Sequence, residues 1–561
     1  MRDSFRDHNP PRLLKVCGAD FELGNFILGV NASASSGRDA SRALLGAIKG
    51  LPRREFSHYS APRGDWQSVV YGGRQRSAVS DDRCSSDDGY HPQDWGRKFL
   101  AENGGCVYID LEHLELCIPE VTNAWDHVAA THAMLRIARE ALRVANAEQP
   151  EGRRIQVLAN NSDGLGNSYG SHLNFQTTRR AWQNIFDRKF HYLQYLASYQ
   201  VSSLAFTGQG KVGSENGAPD GHFQLSQRAD FFEKLSSLPT TYQRGIVNSR
   251  DESLSGPSNG GTQPDSPARL HCIFFDSTLA HGSCLLKVGV MQIILAMLEA
   301  ECCDPALILD DPVDAVVRIS HDPSLQTCVE LASGVRLTAI ELQERFLADA
   351  RSFATTVGFD GVVPRAAEIL DLWEDTLMKL KAKDVPGLAP RLDWVMKLMT
   401  IERALDQRPD LGWDSPAIKV LDHLYSSLDN DGLYFGYENS GFTERLVEDQ
   451  HISELAECPP EDTRAWTRAM LLRCAGASVI DSVDWDSVGF KLRGRSYWPT
   501  YRKVHLSSPL SFTRAEAEPI FQQAASLEEV LDAIDAVAVQ PITENIGLTH
   551  SPVDKPQESI N

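Results

Sequence analysis

Residues 158–175 read Leu-Ala-Asn-Asn-Ser-Asp-Gly-Leu-Gly-Asn-Ser-Tyr-Gly-Ser-His-Leu-Asn-Phe. The run of Asn, Asp, Gly and Ser is turn-forming, because these side chains bond their own backbone and tolerate turn dihedrals. It ends in Gly170-Ser171-His172-Leu173-Asn174, where the two-residue period of a strand puts His172 and Asn174 on one face. A flexible polar turn that delivers a metal- or phosphate-capable pair onto a rigid strand is how a site is built. The plainer alternative is a solvated loop followed by an edge strand.

The same two-residue period organises other segments. Asp20 and Glu22 share a face of a strand, and two carboxylates held side by side repel unless a divalent cation compensates them. An exposed strand with an acidic outer face has the same pattern. Tyr108 and Asp110 share a face of the strand Cys106–Asp110, which precedes His113, Glu115 and Pro119-Glu120. A strand that ends on an Asp suits a nucleophile or general base held by the sheet, or else a simple strand cap. Arg228, Arg250 and His271 are polar groups of the kind a polyphosphate requires, although each Arg taken singly also fits a surface ion pair. Thr207–Gly213 lacks the spacing of a phosphate loop and the hydroxyl that follows its lysine, so it reads as a glycine-rich turn.

Around these pieces, Leu13–Gly18 is expected to be an inner strand running into Asp20–Glu22. Thr122 is expected to cap an amphipathic helix over 122–147, with Val128, Leu135 and Leu142 on one stripe. Residues 31–98 read as a long polar insertion, mobile at Ser80–Gly89, and a second Gly/Ser/Pro/Asn insert occupies 253–267 before a strand at Leu270–Phe275. Val288–Leu298 is too short to span a bilayer and reads as a buried helix. The chain has 561 residues, 42% of them hydrophobic and 23% charged, and is expected to form an α+β enzyme-sized fold. Its net charge of −21 argues against general nucleic-acid binding. Eleven scattered cysteines without a C-x-x-C pair, and a polar N-terminus, fit a cytoplasmic protein with reduced thiols. Lys491, Arg493, Arg495, Arg502 and Lys503, interleaved with Tyr497, Trp498 and Tyr501, form either a docking patch for an acidic partner or a solvated basic face.

Taken together, these segments resemble the Pup ligase and Pup deamidase/depupylase family, whose fold is that of glutamine synthetase and related carboxylate–amine ligases. The likeness runs from about Gly18 to Phe490. Its most specific pieces are Tyr108-Ile109-Asp110 with Glu115 and Pro119-Glu120, Asn160–Gly164 through His172 and Asn174, and Leu225–Asp230. Further pieces are Ser249–Glu252, Arg269–His271, Leu286–Gly289, Asp393-Trp394 and Asp462–Ala465. The resemblance implies a large domain (12–455) with a curved, mainly antiparallel sheet backed by helices, a small C-terminal domain (456–540) and a disordered tail (541–561). It implies Asp110 as catalytic aspartate with Tyr108 beside it. Asp20, Glu22, Glu115 and His172 become magnesium and ATP-phosphate ligands. Arg250, His271 and Asn174 become nucleotide-site residues, and Arg228 and Arg464 further phosphate or substrate contacts. The implied cofactors are ATP (or ADP plus phosphate) and Mg2+. The implied partner is a small disordered Pup-like modifier and its conjugates, with no nucleic acid, no membrane and a monomeric state.

Three positions depart from the family pattern: Asp20 stands where a Glu is usual, Leu173 replaces a Glu, and Leu254 stands near the place of a His. The long segment between Glu22 and Asp110, with Asp322–Leu325, Asp462–Trp466 and Trp485–Val488, resembles the deamidase branch. Gly166–Gly170 and Leu392–Val395 resemble the ligase branch. The expectation is therefore an ATP/Mg-dependent hydrolase of a Pup-like C-terminal Gln amide or isopeptide bond. The alternatives are an ATP-consuming ligase joining a modifier C-terminal Glu to lysines, and a degenerate relative that binds modifier or nucleotide without chemistry.

Overall fold

The computed structural model describes residues 10–30, 35–49, 70–72, 98–251, 263–475, 479–492 and 499–539. Ser80–Gly89, Leu254, Arg493, Arg495, Tyr497, Trp498 and the tail 541–561 lie outside them. The site is carried by an eight-stranded antiparallel sheet: β1 (Cys17–Leu28), β2 (Val70–Gly72), β3 (Lys98–Leu100), β4 (Cys106–Asp110), β5 (His113–Cys117), β6 (Arg154–Leu158), β7 (Ser171–Thr178) and β8 (Pro267–Cys272). The path runs β8-β7-β1-β5-β4-β3-β2, and β6 joins the second half of β1.

Register decides which side chains meet. Glu22 stands opposite Glu115, which stands opposite Tyr108. Asp20 stands opposite His172, and Asn174 lies between Gly18 and His271. Residues directly opposite in an antiparallel pair share a face, so the polar residues of β1, β4, β5, β7 and β8 gather on one side. The alternate positions Ala19, Phe21, Leu23, Val107, Ile109, Leu114, Leu116, Leu173, Phe175 and Leu270 are buried on the other side, in the main apolar core. That core is closed by the helices Ser35–Lys49, Ala124–Ala147 and His281–Glu299. The observed content of helix and antiparallel strand is the expected α+β class.

Several local expectations are corrected by long-range partners. The polar reading of 31–98 conceals the helix Ser35–Lys49, whose Ala40, Leu44, Leu45 and Ile48 are buried on the sheet. The cap of the next helix is Asn123, which accepts from the Trp125 and Asp126 amides, while the Thr122 hydroxyl donates to Asp462 at 2.5 Å. Residues 11–16 lead into β1 without strand pairing. The buried helix begins at His281 and is the one helix among the described residues long and apolar enough to cross a membrane, yet it lies wholly inside the protein.

The polar face of the sheet at β3–β5 is covered by the C-terminal segment. Phe99, Cys106, Tyr108 and Cys117 share a second apolar cluster with Trp466, Leu471, Val488 and Phe490. These come from the helix Ala465–Ala475 and from a three-stranded sheet of Ile480–Asp484, Ser487–Leu492 and Thr500–His505. Within the basic patch, Arg502 is turned onto Asp532 and Asp535 (2.7 and 2.6 Å), so it is a structural ion pair rather than a docking group.

Candidate active site

Asn160, Asn161 and Ser162 are buried, so the loop that opens the decisive stretch is interior scaffolding and not a flexible turn. The Asn161 amide donates to Gln227 Oε1 at 2.5 Å, and Asn161 Oδ1 accepts from the Ser277 amide at 2.6 Å. The Tyr169 hydroxyl donates to Asn160, and its ring stacks on His113 at 4.3 Å. Thus pinned, the loop delivers Gly170 against the acidic pair: the Gly170 amide donates to Glu22 Oε1 at 2.8 Å. A Cβ at this position would lie 2.5 Å from Glu22 Oε1 and 2.8 Å from His172 Nε2, so any other residue would push these two side chains aside.

Asp20 is held sideways across the strands. It accepts from His172 Nδ1 at 2.9 Å and from Asn174 Nδ2 at 2.7 Å, and Asn174 in turn accepts from Arg269 Nε at 2.7 Å. Burial opposes ionisation of Asp20, but the His172 hydrogen bond, the His172 and Arg269 charges and the Asn174 amide outweigh it and lower its pKa. The shorter side chain thus reaches its neighbours directly.

His271 faces this pair, its ring 5.0 Å from that of His172, and Asp20, His172 and His271 offer three ligand atoms within 4.8 Å of one another. Asn248 donates its amide to the Ser237 and Leu238 carbonyls, so its Oδ1 accepts from His271 Nδ1 at 3.0 Å. That fixes the tautomer and leaves the His271 Nε2 lone pair available. Burial, with the Arg269, His172, Arg250 and Arg228 charges, pushes the His271 pKa well down and keeps the ring neutral.

In the other half of the site the repulsion between carboxylates outweighs the donors that reach them. Burial and the Asp110 charge raise the Glu22 pKa to about 7. Burial and the charges of Asp110, Asp20 and Glu22 push Glu115 well above the carboxylate range, against a hydrogen bond from Tyr108. Glu115 Oε2 is buried and has no hydrogen-bond partner. Asp110, half-buried, ends β4 at a tight turn whose next residue, Leu111, has φ +51°. Four carboxylates on one rigid face, one of them with an orphaned oxygen, form a donor set that fits a hard divalent cation.

The structure gathers Asp20, Glu22, Tyr108, Asp110, Glu115, His172, Asn174 and His271 on one face. Arg228 supports it from behind: it donates to the Tyr169 carbonyl at 2.9 Å, its Nε is buried without a partner, and its charge reaches Glu22. Arg250 follows the strand Arg244–Asn248 and acts on His271 through its charge. Arg464 is instead tied down, donating to Glu120 Oε1 (2.8 Å) and the Leu506 carbonyl (2.8 Å), though it also lines a cleft with Gly18, Asn174, Arg269 and Trp485. Sequence reasoning gave no role to Arg269, Arg244 or Gly170. The alternation that marked Asn174 would have marked Gln176, and its strand partner Arg269, as belonging to the same face. Leu173 points to the apolar core, so the missing glutamate there takes nothing from this face. Leu254 lies outside the described residues.

A profile of the Pup-ligase protein family matches residues 15–489. The chain is 36% identical over 438 residues to the depupylase of Acidothermus cellulolyticus, covering 78% of this chain and 83% of that protein. It is 34% identical over 425 residues to the Pup–protein ligase of Acidimicrobium ferrooxidans, covering 74% and 88%. The fold is that of the Pup ligase PafA solved in complex with Pup, with a TM-score of 0.71 at 23% identity over 97% and 98% of the two chains. PafA in complex with ADP superposes with a TM-score of 0.66 at 25% identity over 83% and 98%.

Proposed function

This chain belongs to the Pup-ligase protein family, and on that premise we propose that it is a nucleotide- and magnesium-dependent hydrolase of Pup. It acts on the side-chain amide of a C-terminal Gln or on the isopeptide bond to a substrate lysine. The observation that carries this reading is the convergence of Asp20, Glu22 and Glu115 beside Asp110, with Glu115 Oε2 buried and unsatisfied. The ADP-bound relative supports a nucleotide in the same cradle. The depupylase name of the Acidothermus relative supports hydrolysis over ligation.

In this reading Asp20, Glu22, Glu115 and His172 hold the metal, and His271, Arg250, Asn174 and Arg228 face the nucleotide phosphates. Bound magnesium and nucleotide would neutralise the carboxylate cluster and offset the negative charge that grows on the amide oxygen. Asp110, fixed by the sheet, would take a proton from the attacking water and pass it to the nitrogen as the C–N bond breaks, or would itself attack the carbonyl to give an anhydride that water hydrolyses, the nitrogen leaving with a proton from solvent. Tyr108, hydrogen-bonded to Glu115, keeps that carboxylate turned toward Asp110. Arg464, engaged with Glu120, shapes the wall of the cleft beside Trp485.

The test incubates the protein with ATP, Mg2+ and Pup ending in Gln. Ammonia is released by the wild type and falls at least ~10²-fold in Asp110→Asn, the loss typical of a removed acid–base group. Equal release from both chains would overturn the role of Asp110. A ligase would instead release ADP in proportion to conjugate formed from Pup ending in Glu, and that result would overturn hydrolysis.

A further inference from the structure

A second group of chemistry-bearing side chains lies among the helices behind the sheet. His132 comes from the helix Ala124–Ala147, His281 opens the helix His281–Glu299, and Glu438 comes from the helix Leu433–Asn439. Each offers a ligand atom, and these atoms lie within 4.8 Å of one another. We propose that His132, His281 and Glu438 form a second metal site, for a borderline cation of the zinc type, distinct from the carboxylate cluster.

Two independent observations point to a ligand here. His281 is 1% exposed, yet neither ring nitrogen has a hydrogen-bond partner. A neutral imidazole with both nitrogens unsatisfied is a costly burial, and a metal on its acceptor nitrogen satisfies one of the two. His132 lies 2.9 Å through Nε2 from the Leu279 carbonyl, which can only accept, so Nε2 carries the proton and Nδ1 the lone pair. A ring nitrogen donating to a backbone carbonyl is the support that metal-binding imidazoles use to fix tautomer and orientation. The two rings meet edge to face at 4.6 Å. The Tyr434 hydroxyl is also buried without a partner, and its ring lies 6.3 Å from that of His132.

The surrounding charges choose the metal. Arg136 is paired to Asp449, Arg139 donates to the Leu428 carbonyl at 3.2 Å, and Arg445 lies 3.4 Å from Asp449 and 3.7 Å from Glu438. Two of the three guanidiniums are offset by Asp449, and a single carboxylate ligand is too little oxygen donation for a hard cation such as Mg2+. This leaves a site for a cation that gains its affinity from imidazole nitrogen. Such an ion would fasten three helices that lie far apart in the chain and would act as a structural clamp.

The experiment titrates the metal-free full-length chain with Co2+ and reads its visible d–d bands, then competes with Zn2+. A His172→Ala/His271→Ala chain, stripped of the imidazoles in front of the sheet, still binds one equivalent with tetrahedral bands. Adding His281→Gln or Glu438→Gln abolishes those bands. In parallel, Zn2+ raises the thermal midpoint of the His172→Ala/His271→Ala chain, and changing the partly buried Glu438 (Glu438→Gln) removes the rise while leaving the far-ultraviolet dichroism unchanged. Bands that survive His281→Gln, or a zinc-induced rise that survives Glu438→Gln, would overturn the proposal.

Discussion

Glu120 and Glu115 lie five residues apart in the chain, Glu115 buried and Glu120 nearly so, and their surroundings drive them in opposite directions. Glu120 accepts from Arg464 Nε at 2.8 Å and Arg468 Nη2 at 2.7 Å, and despite burial these guanidiniums hold its pKa down to about 2. Glu115 stands among three carboxylates, keeps an orphaned oxygen, and is pushed well above the carboxylate range. The first carboxylate is finished within the protein and bolts the C-terminal segment to the sheet. The second is finished only by something from outside. An ion pair that closes on itself marks structure, and an uncompensated cluster on rigid strands marks a site.

The comparison breaks most visibly at Arg468. Arg468→Ala leaves Glu120 half-paired and buried, and should cost about 3–5 kcal/mol in chemical denaturation. Glu115→Gln should act with the opposite sign: it relieves repulsion and stabilises the metal-free chain by about 1 kcal/mol, while Mg2+ ceases to raise the thermal midpoint.

The pH dependence sharpens the contrast. Glu120 falls from its ordinary 4.5 to about 2 on folding, so its stabilisation, on the order of 3 kcal/mol, is complete above 4.5 and lost as pH falls toward 2. Glu22 rises from 4.5 to about 7, so in chelator the metal-free chain loses stability as pH rises from 4.5 through 7. Unfolding in denaturant across pH, with wild type against Glu120→Gln and Glu22→Gln, separates the two windows. The most local effect is expected at Gly170. A methyl there displaces Glu22 and His172, and Gly170→Ala should weaken Mg2+ about 10-fold by calorimetry, in the range of outer-shell changes.

How much of this was legible in the chain follows the same division. Strand alternation carried Asp20, Glu22, Tyr108, Asp110, His172 and Asn174 to one face, because the period of two is a local property that register preserves. What failed depended on distant partners. Asn160 and Asn161 look like surface turn residues until Gln227 and Ser277 are seen to bury them. Arg464 looks like a free phosphate contact until Glu120 arrives from more than 300 residues away. The helix Ser35–Lys49 is hidden in a polar stretch because only its Ala40, Leu44, Leu45 and Ile48 stripe meets the sheet. His132 and His281 gave no local signal, since neither forms a motif with its sequence neighbours.

The most direct measurement is a Mn2+ titration followed by electron paramagnetic resonance, comparing wild type, Glu115→Gln and Arg468→Ala under conditions where all remain folded. Wild type and Arg468→Ala should hold the ion with equal affinity, and Glu115→Gln should bind it at least ~10-fold more weakly. Equal binding by Glu115→Gln and wild type would contradict the assignment of the carboxylate face as a metal centre.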